Sequence, residues 1–131
     1  MLKGSCHCAR VSWQLDAMPK SATACNCTIC RRYGALWAYG HIGKNVHVSG
    51  ETASYCREEF GEIDFHFCAS CGCVTHYVAT KPDDDGQHLA AVNLRMTELS
   101  PIADVVIRHF DGCDSWKEIP NNGRTVKDMW F

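Results

Sequence analysis

Nowhere does this chain carry an apolar run approaching the roughly 20 residues that a membrane-spanning helix needs, so no such helix is expected. No apolar leader is expected, since Met1-Leu2-Lys3-Gly4 passes directly into a strand-like segment. A cytoplasmic protein with reduced thiols is the expectation that follows. Excess charge of either sign is missing too. Thirteen Lys and Arg against fifteen Asp and Glu leave a net charge of -2, which gives no electrostatic footprint for a nucleic-acid backbone. No repeat of solenoid period and no low-complexity tract interrupts the chain. What the sequence has in excess is cysteine, ten in 131 residues. A chain this long is expected to be one domain over residues 1–131. Its 46% hydrophobic fraction is enough for a buried core.

Hydrophobic patterning points to strands. Val11, Trp13 and Leu15 alternate with Arg10, Ser12 and Gln14, the period of a strand with one buried face. Further short strands are expected at 35–39, 46–48, 63–67, 74–79, 89–94 and 105–110. Residues 53–57 are expected to pair back on 46–48 across Ser49-Gly50-Glu51. Thr28 is expected to cap a helical turn through Arg31 and Arg32 that Gly34 stops. Pro101 interrupts another turn between Thr97 and Ala103. Lys81 to Gly86 read as an exposed polar loop. Trp130 and Phe131 are expected to dock on the core. The whole is a mostly-β domain with few helical turns.

Eight of the cysteines fall into three clusters: Cys6-Cys8, Cys25-Cys27-Cys30 and Cys68-Cys71-Cys73. In a reducing compartment such clusters bind metal more often than they form bridges. Cys6 and Cys8 with Cys68 and Cys71 read as the two halves of a closed four-thiolate zinc site that pins the first strand to a distant hairpin. Gly72 suits the turn after Cys71, where positive φ is needed. Three thiols within Cys25-Asn26-Cys27-Thr28-Ile29-Cys30 leave one tetrahedral position free, where a zinc site takes up water or substrate. Two other readings stand beside this one. The trio can be a buried thiol cluster without metal, or Cys73, His66 or His76 can complete it as a structural site. Trp37 and Tyr39 are expected in the core, Cys56 and Cys113 as small buried residues. His7 is expected to face away from the first metal site.

These motifs resemble those of the glutathione-dependent formaldehyde-activating family, which includes centromere-protein-V relatives. Gly4-Ser5-Cys6-His7-Cys8 with Val11 and Trp13 is similar to its opening strand. Cys25-Asn26-Cys27-Thr28-Ile29-Cys30-Arg31-Arg32 is similar to its central motif, and Phe67-Cys68-Ala69-Ser70-Cys71-Gly72 to its second knuckle. His109-Phe110-Asp111-Gly112 followed by Trp116 resembles a frequent closing pattern. Cys73 departs from the family, which usually has Thr or Ser there. The resemblance implies small antiparallel sheets closed around zinc in a β-tent. It implies two zincs per chain, one structural at Cys6, Cys8, Cys68 and Cys71, the other reactive at Cys25, Cys27 and Cys30. It implies a carbon–sulfur lyase joining glutathione, or a related small thiol, to an aldehyde. Glutathione carries two carboxylates, for which Arg31 and Arg32 are the candidate anchors. The competing classes are a non-catalytic zinc-stabilised binding module and a thiol redox protein using Cys56, Cys73 or Cys113. Oligomeric state is left open.

Overall fold

The computed structural model describes residues 1–130; the expected docking of Phe131 lies outside the described residues. The chain is mostly β, with eleven short strands and few helical turns. β1 (Leu2–Ser5), β2 (Ser12–Leu15) and β5 (Val46–Ser49) form a small antiparallel sheet in the order β1-β2-β5. The period-two expectation holds here: Trp13 and Leu15 are buried, whereas Ser12 and Gln14 are partly exposed.

The second sheet is larger. It contains β3 (Ser21–Cys25), β4 (Trp37–His41), β6 (Ala53–Cys56), β7 (Ile63–Phe67), β8 (Val74–Ala79), β9 (Leu89–Asn93), β10 (Val106–Phe110) and β11 (Glu118–Ile119). Their order is β11-β10-β3-β4-β9-β8-β7-β6. All its pairs are antiparallel except β3–β10, which run parallel with Phe110 beside Cys25. Residues 53–57 do not fold back on β5 as expected. β5 pairs with β2, and β6 pairs with β7, setting Tyr55 opposite Phe65. The reason lies at Gly50, whose φ is 95° and where an added Cβ would stand 2.0 Å from the Arg10 carbonyl oxygen. The turn is pressed against the start of β2, and only glycine fits. The chain then leaves for the other sheet.

The core has a main part and two smaller ones. Leu15, Leu36, Val46, Val92, Leu94, Ile102, Ile107 and Val126 are among the residues filling the first, and Trp130 packs against it. Trp37, Phe65, Tyr77 and Ala91 gather around Cys27 and Cys30 in the second. Cys6, Val11 and Cys68 form the third, with Cys71 and Cys73 alongside. Pro101 lies inside a 3₁₀ turn at Ser100–Ile102 rather than breaking one.

Candidate metal centres and an aromatic cavity

Two tight turns build the first cluster. Ala9 donates its N–H to the Cys6 carbonyl at 2.9 Å and takes φ 62°, the left-handed region that Ala enters at a cost of roughly 1–2 kcal/mol. Gly72 donates to the Cys68 carbonyl at 2.8 Å with φ 77°. The two turns face each other, and the Arg10 guanidinium bridges them by donating to Ser70 Oγ at 2.7 Å. The sulfurs of Cys6, Cys8, Cys68 and Cys71 all lie within 4.8 Å of one another. Val11 N–H donates to Cys6 Sγ at 3.3 Å. Backbone amides of Cys73 and Cys8 hold the Cys71 thiol down to about 5.

The second cluster starts where β3 ends. Cys25 is the last strand residue, and α1 (Cys30–Tyr33) begins within the same motif. The helix is stopped by Gly34 in the left-handed region at φ 61°, its N–H bonded to the Cys30 carbonyl. Thr28 does not cap it; Ile29 occupies that position without a side-chain hydrogen bond. This sharp turn aims three sulfurs inward, all within 4.8 Å of one another. Cys27 N–H donates to Cys25 Sγ at 3.4 Å, Cys30 N–H to Cys27 Sγ at 3.4 Å, and Trp37 Nε1–H to Cys30 Sγ at 3.3 Å. A hydrogen bond from Cys30 holds the Cys25 thiol well below its usual range, while the same bond and burial push Cys30 up.

Among the described residues no fourth thiol, imidazole or carboxylate joins the trio. Cys73 packs with the first cluster. His66 and His76 stack on each other, ring centroids 4.5 Å apart, and neither lines the cavity beside the trio. Both donor sets fit a soft cation that prefers four-coordination. Four thiolates close its shell, and three leave a position to fill.

The open side of the trio faces a cavity of about 210 Å³. Pleating and register supply its walls. Tyr39 on β4 and Tyr77 on β8 are both registered on Ala91 of β9, and Phe65 on β7 is registered on Tyr77. Side chains in register share one face of a sheet, so these aromatics stand in a row, and Tyr39 meets Tyr77 edge-on at 6.4 Å across the small Ala91. Trp37 meets Tyr77 edge-on at 4.9 Å, and Phe65 meets Tyr77 at 5.6 Å. Burial raises both tyrosine hydroxyls above their usual range, Tyr77 by far the more.

The roof comes from the loop after β10. Gly112 sits so close that a Cβ there would lie 2.6 Å from Cys25 Sγ. Phe110 and Trp116 line the cavity and touch each other edge-on at 5.8 Å. Asn26, inside the cysteine motif, ties this loop down. Its amide donates to Asp111 Oδ1 at 3.0 Å, and its carbonyl oxygen accepts from Cys113 N–H at 3.0 Å. That bond, with others from Ser115, holds the Asp111 carboxyl at about 2.

Arg31 and Arg32 are exposed on α1 and do not line the cavity. Arg32 donates to the Thr28 carbonyl at 2.8 Å and lines an adjoining groove of about 370 Å³. The cation at the cavity rim is Arg57, which the sequence did not single out; it lies over the Phe60 ring at 4.7 Å and lines both cavity and groove. Tyr39 is half exposed at the mouth rather than in the core, and Trp37 is both buried and cavity-lining. Cys113 is exposed and Cys56 half-buried, so neither is the small buried residue expected. His7 is exposed. A wider groove of about 510 Å³ over β1, β2 and β5 presents no thiol.

The model of the family described as glutathione-dependent formaldehyde-activating enzyme matches residues 1–109. A crystal structure of a Rhodobacter sphaeroides protein is 26% identical, with a TM-score of 0.59 over 74% of this chain and 88% of that one. No match is found among curated proteins.

Proposed function

This chain belongs to the glutathione-dependent formaldehyde-activating family, and from that premise we propose that it is a zinc-dependent carbon–sulfur lyase for adducts of an aldehyde with glutathione or a related small thiol. Cys6, Cys8, Cys68 and Cys71 hold a structural zinc; Cys25, Cys27 and Cys30 hold the reactive one. The observation that carries this is the asymmetry of the two sulfur clusters. One has four donors, and the other has three donors facing a cavity.

Cys25, Cys27 and Cys30 would hold the reactive zinc, which would supply a Lewis-acidic position that favours the deprotonated form of a thiol at neutral pH. Three cysteinates already give such a centre a net charge of -1, which favours thiolate delivery over carbonyl polarisation. The chain's own residues do the rest. Trp37 holds Cys30 in place through its N–H. The aromatic walls exclude water from the reacting atoms. Tyr77, kept protonated by burial, offers an O–H at the cavity wall. In the forward direction the thiolate sulfur bonds to the carbonyl carbon, the C=O π pair moves to oxygen, and that oxygen takes up the proton the thiol gave up. Arg57 and Arg32 in the adjoining groove are the anchors for the thiol's carboxylates, Arg57 being the one that also reaches the cavity rim.

Mixing zinc-loaded protein with glutathione and formaldehyde, and following adduct formation, tests this. The expected result is acceleration over the spontaneous reaction that Cys27→Ser abolishes. No acceleration with any of several thiols and aldehydes would remove the lyase assignment. The binding-module alternative needs a filled second shell, which the open trio does not favour.

A further inference from the structure

We propose that the aldehyde-derived part of the substrate carries an aryl or comparably bulky apolar group, seated between Trp37, Phe65, Tyr77 and the Phe110–Trp116 roof. This rests on the lyase assignment for the reaction, but the binding preference it states is independent of turnover.

Size comes first. A dry apolar cavity of about 150 Å³ accommodates benzene, and this one measures about 210 Å³. A one-carbon aldehyde would leave nearly all of it to water against aromatic walls, which is unfavourable in proportion to the apolar area left wet. The cavity is also too small for a tripeptide. The polar bulk of the thiol therefore belongs in the adjoining groove, where Thr28, Arg32, Tyr55 and Arg57 stand, and which meets the cavity at Ile29 and Arg57. Two compartments of different character adjoin at Ile29 and Arg57: a mostly apolar one at the sulfur cluster, with Arg57 and Glu62 among its lining, for the carbon partner, and a cationic one for the thiol.

The roof supplies a second, separate observation. Trp116 is 67% exposed and has φ 55°, a left-handed conformation that costs a tryptophan roughly 1–2 kcal/mol. It is held there by its N–H to the Asp111 carbonyl at 2.8 Å, by Asp111 N–H to the Lys117 carbonyl at 2.9 Å, and by its edge contact with Phe110. A large exposed aromatic fixed in an unfavourable backbone state over a cavity is what an aromatic ligand would pack against. Phe110, Gly112 and Trp116 lie just beyond residue 109, where the family match ends. For an aryl aldehyde the step balances as before: one C–S bond forms, the C=O π pair becomes an oxygen lone pair, and the proton released by the thiol ends on that oxygen.

Calorimetry on zinc-loaded protein with S-benzylglutathione and S-methylglutathione tests the preference. The benzyl compound is expected to bind about tenfold more tightly. In Trp116→Ala the ratio is expected to fall to about twofold, with zinc content unchanged. Equal affinities in the unmodified protein, no binding of either compound, or a ratio untouched by both Trp116→Ala and Phe110→Ala would overturn the proposal. Rates with benzaldehyde and formaldehyde separate it from the lyase assignment. A benzyl preference without acceleration of either aldehyde defeats the lyase and leaves the cavity proposal standing. Acceleration of formaldehyde alone defeats the cavity proposal and leaves the lyase standing.

Discussion

At the scale of single residues, Asn26 has a role separate from its cysteine neighbours. It lies between two thiols yet turns its amide away from them, to Asp111 and the Cys113 amide. Each such bond is worth roughly 0.5–1.5 kcal/mol at most in net terms. Losing both frees the loop that carries Gly112 and Trp116. Asn26→Ala is expected to weaken S-benzylglutathione binding about three- to tenfold while zinc content stays constant, measured by calorimetry and metal analysis together. Unchanged affinity would mean the loop holds itself. The cysteines were legible from spacing because a six-residue turn brings its own sulfurs together. Arg57 was not. Nothing local distinguishes it from other arginines, and its place at the rim depends on β6 having joined β7.

At the scale of elements, β7 and β8 carry different chemistry on their two faces. Phe65 and Tyr77 face the cavity, while His66 and His76 stack on the other side. Strand alternation sets His66 on the face opposite Phe65, but does not tell that another histidine stacks on it, since register between strands is not written in either one. Each ring meets a threonine: His66 Nδ1 with Thr52 at 2.8 Å, His76 Nδ1 with Thr75 at 2.9 Å. His76 is 3% exposed, and burial, with His66 beside it, pushes its pKa down to about 4. Burial lowers His66 as well, opposed by Asp64 on the same strand. On the β9 side His76 is registered on Val92, which carries no charge.

The unfolded chain binds a proton at His76 near pH 6.5, and the folded chain only near 4. Stability is therefore flat in this respect above about 6.5 and falls as the pH drops towards 4, by up to about 3 kcal/mol. His76→Gln is expected to flatten that part of the curve. Urea unfolding at saturating zinc between pH 7.5 and 5 reads the difference, and identical slopes in both proteins would show that His76 is not the group responsible. The β5–β6 hairpin that sequence suggested fails at the same scale. A turn signal says that the chain bends, and the crowding of Gly50 against Arg10 decides where it goes next.

At the scale of the whole molecule, the two cysteine clusters differ in reach. Cys8 and Cys68 are 60 positions apart and join the small sheet to the turn between β7 and β8. Cys25, Cys27 and Cys30 lie within one turn. Metal at the first site closes a long loop and couples its binding energy to folding; metal at the second fastens what is already adjacent. Cys71→Ser is expected to abolish cooperative unfolding. Cys27→Ser is expected to lower zinc by about one ion per chain and keep the fold, as judged by metal analysis and circular dichroism. If the two variants behave alike, the division of labour between the sites is wrong. The two sulfur clusters themselves were legible in the sequence because they rest on counting donors. The eight-strand order of the large sheet was not, since it requires β10 to return and lie parallel beside β3.

That late return has a consequence in time. Asn26 and the Asp111 it holds are 85 positions apart, and ribosomes add roughly 5–20 residues per second. The sulfur trio therefore emerges on the order of ten seconds before the loop that will cover it. An ion arriving during synthesis would meet an uncovered nest of thiols; one arriving later would have to pass beneath Trp116.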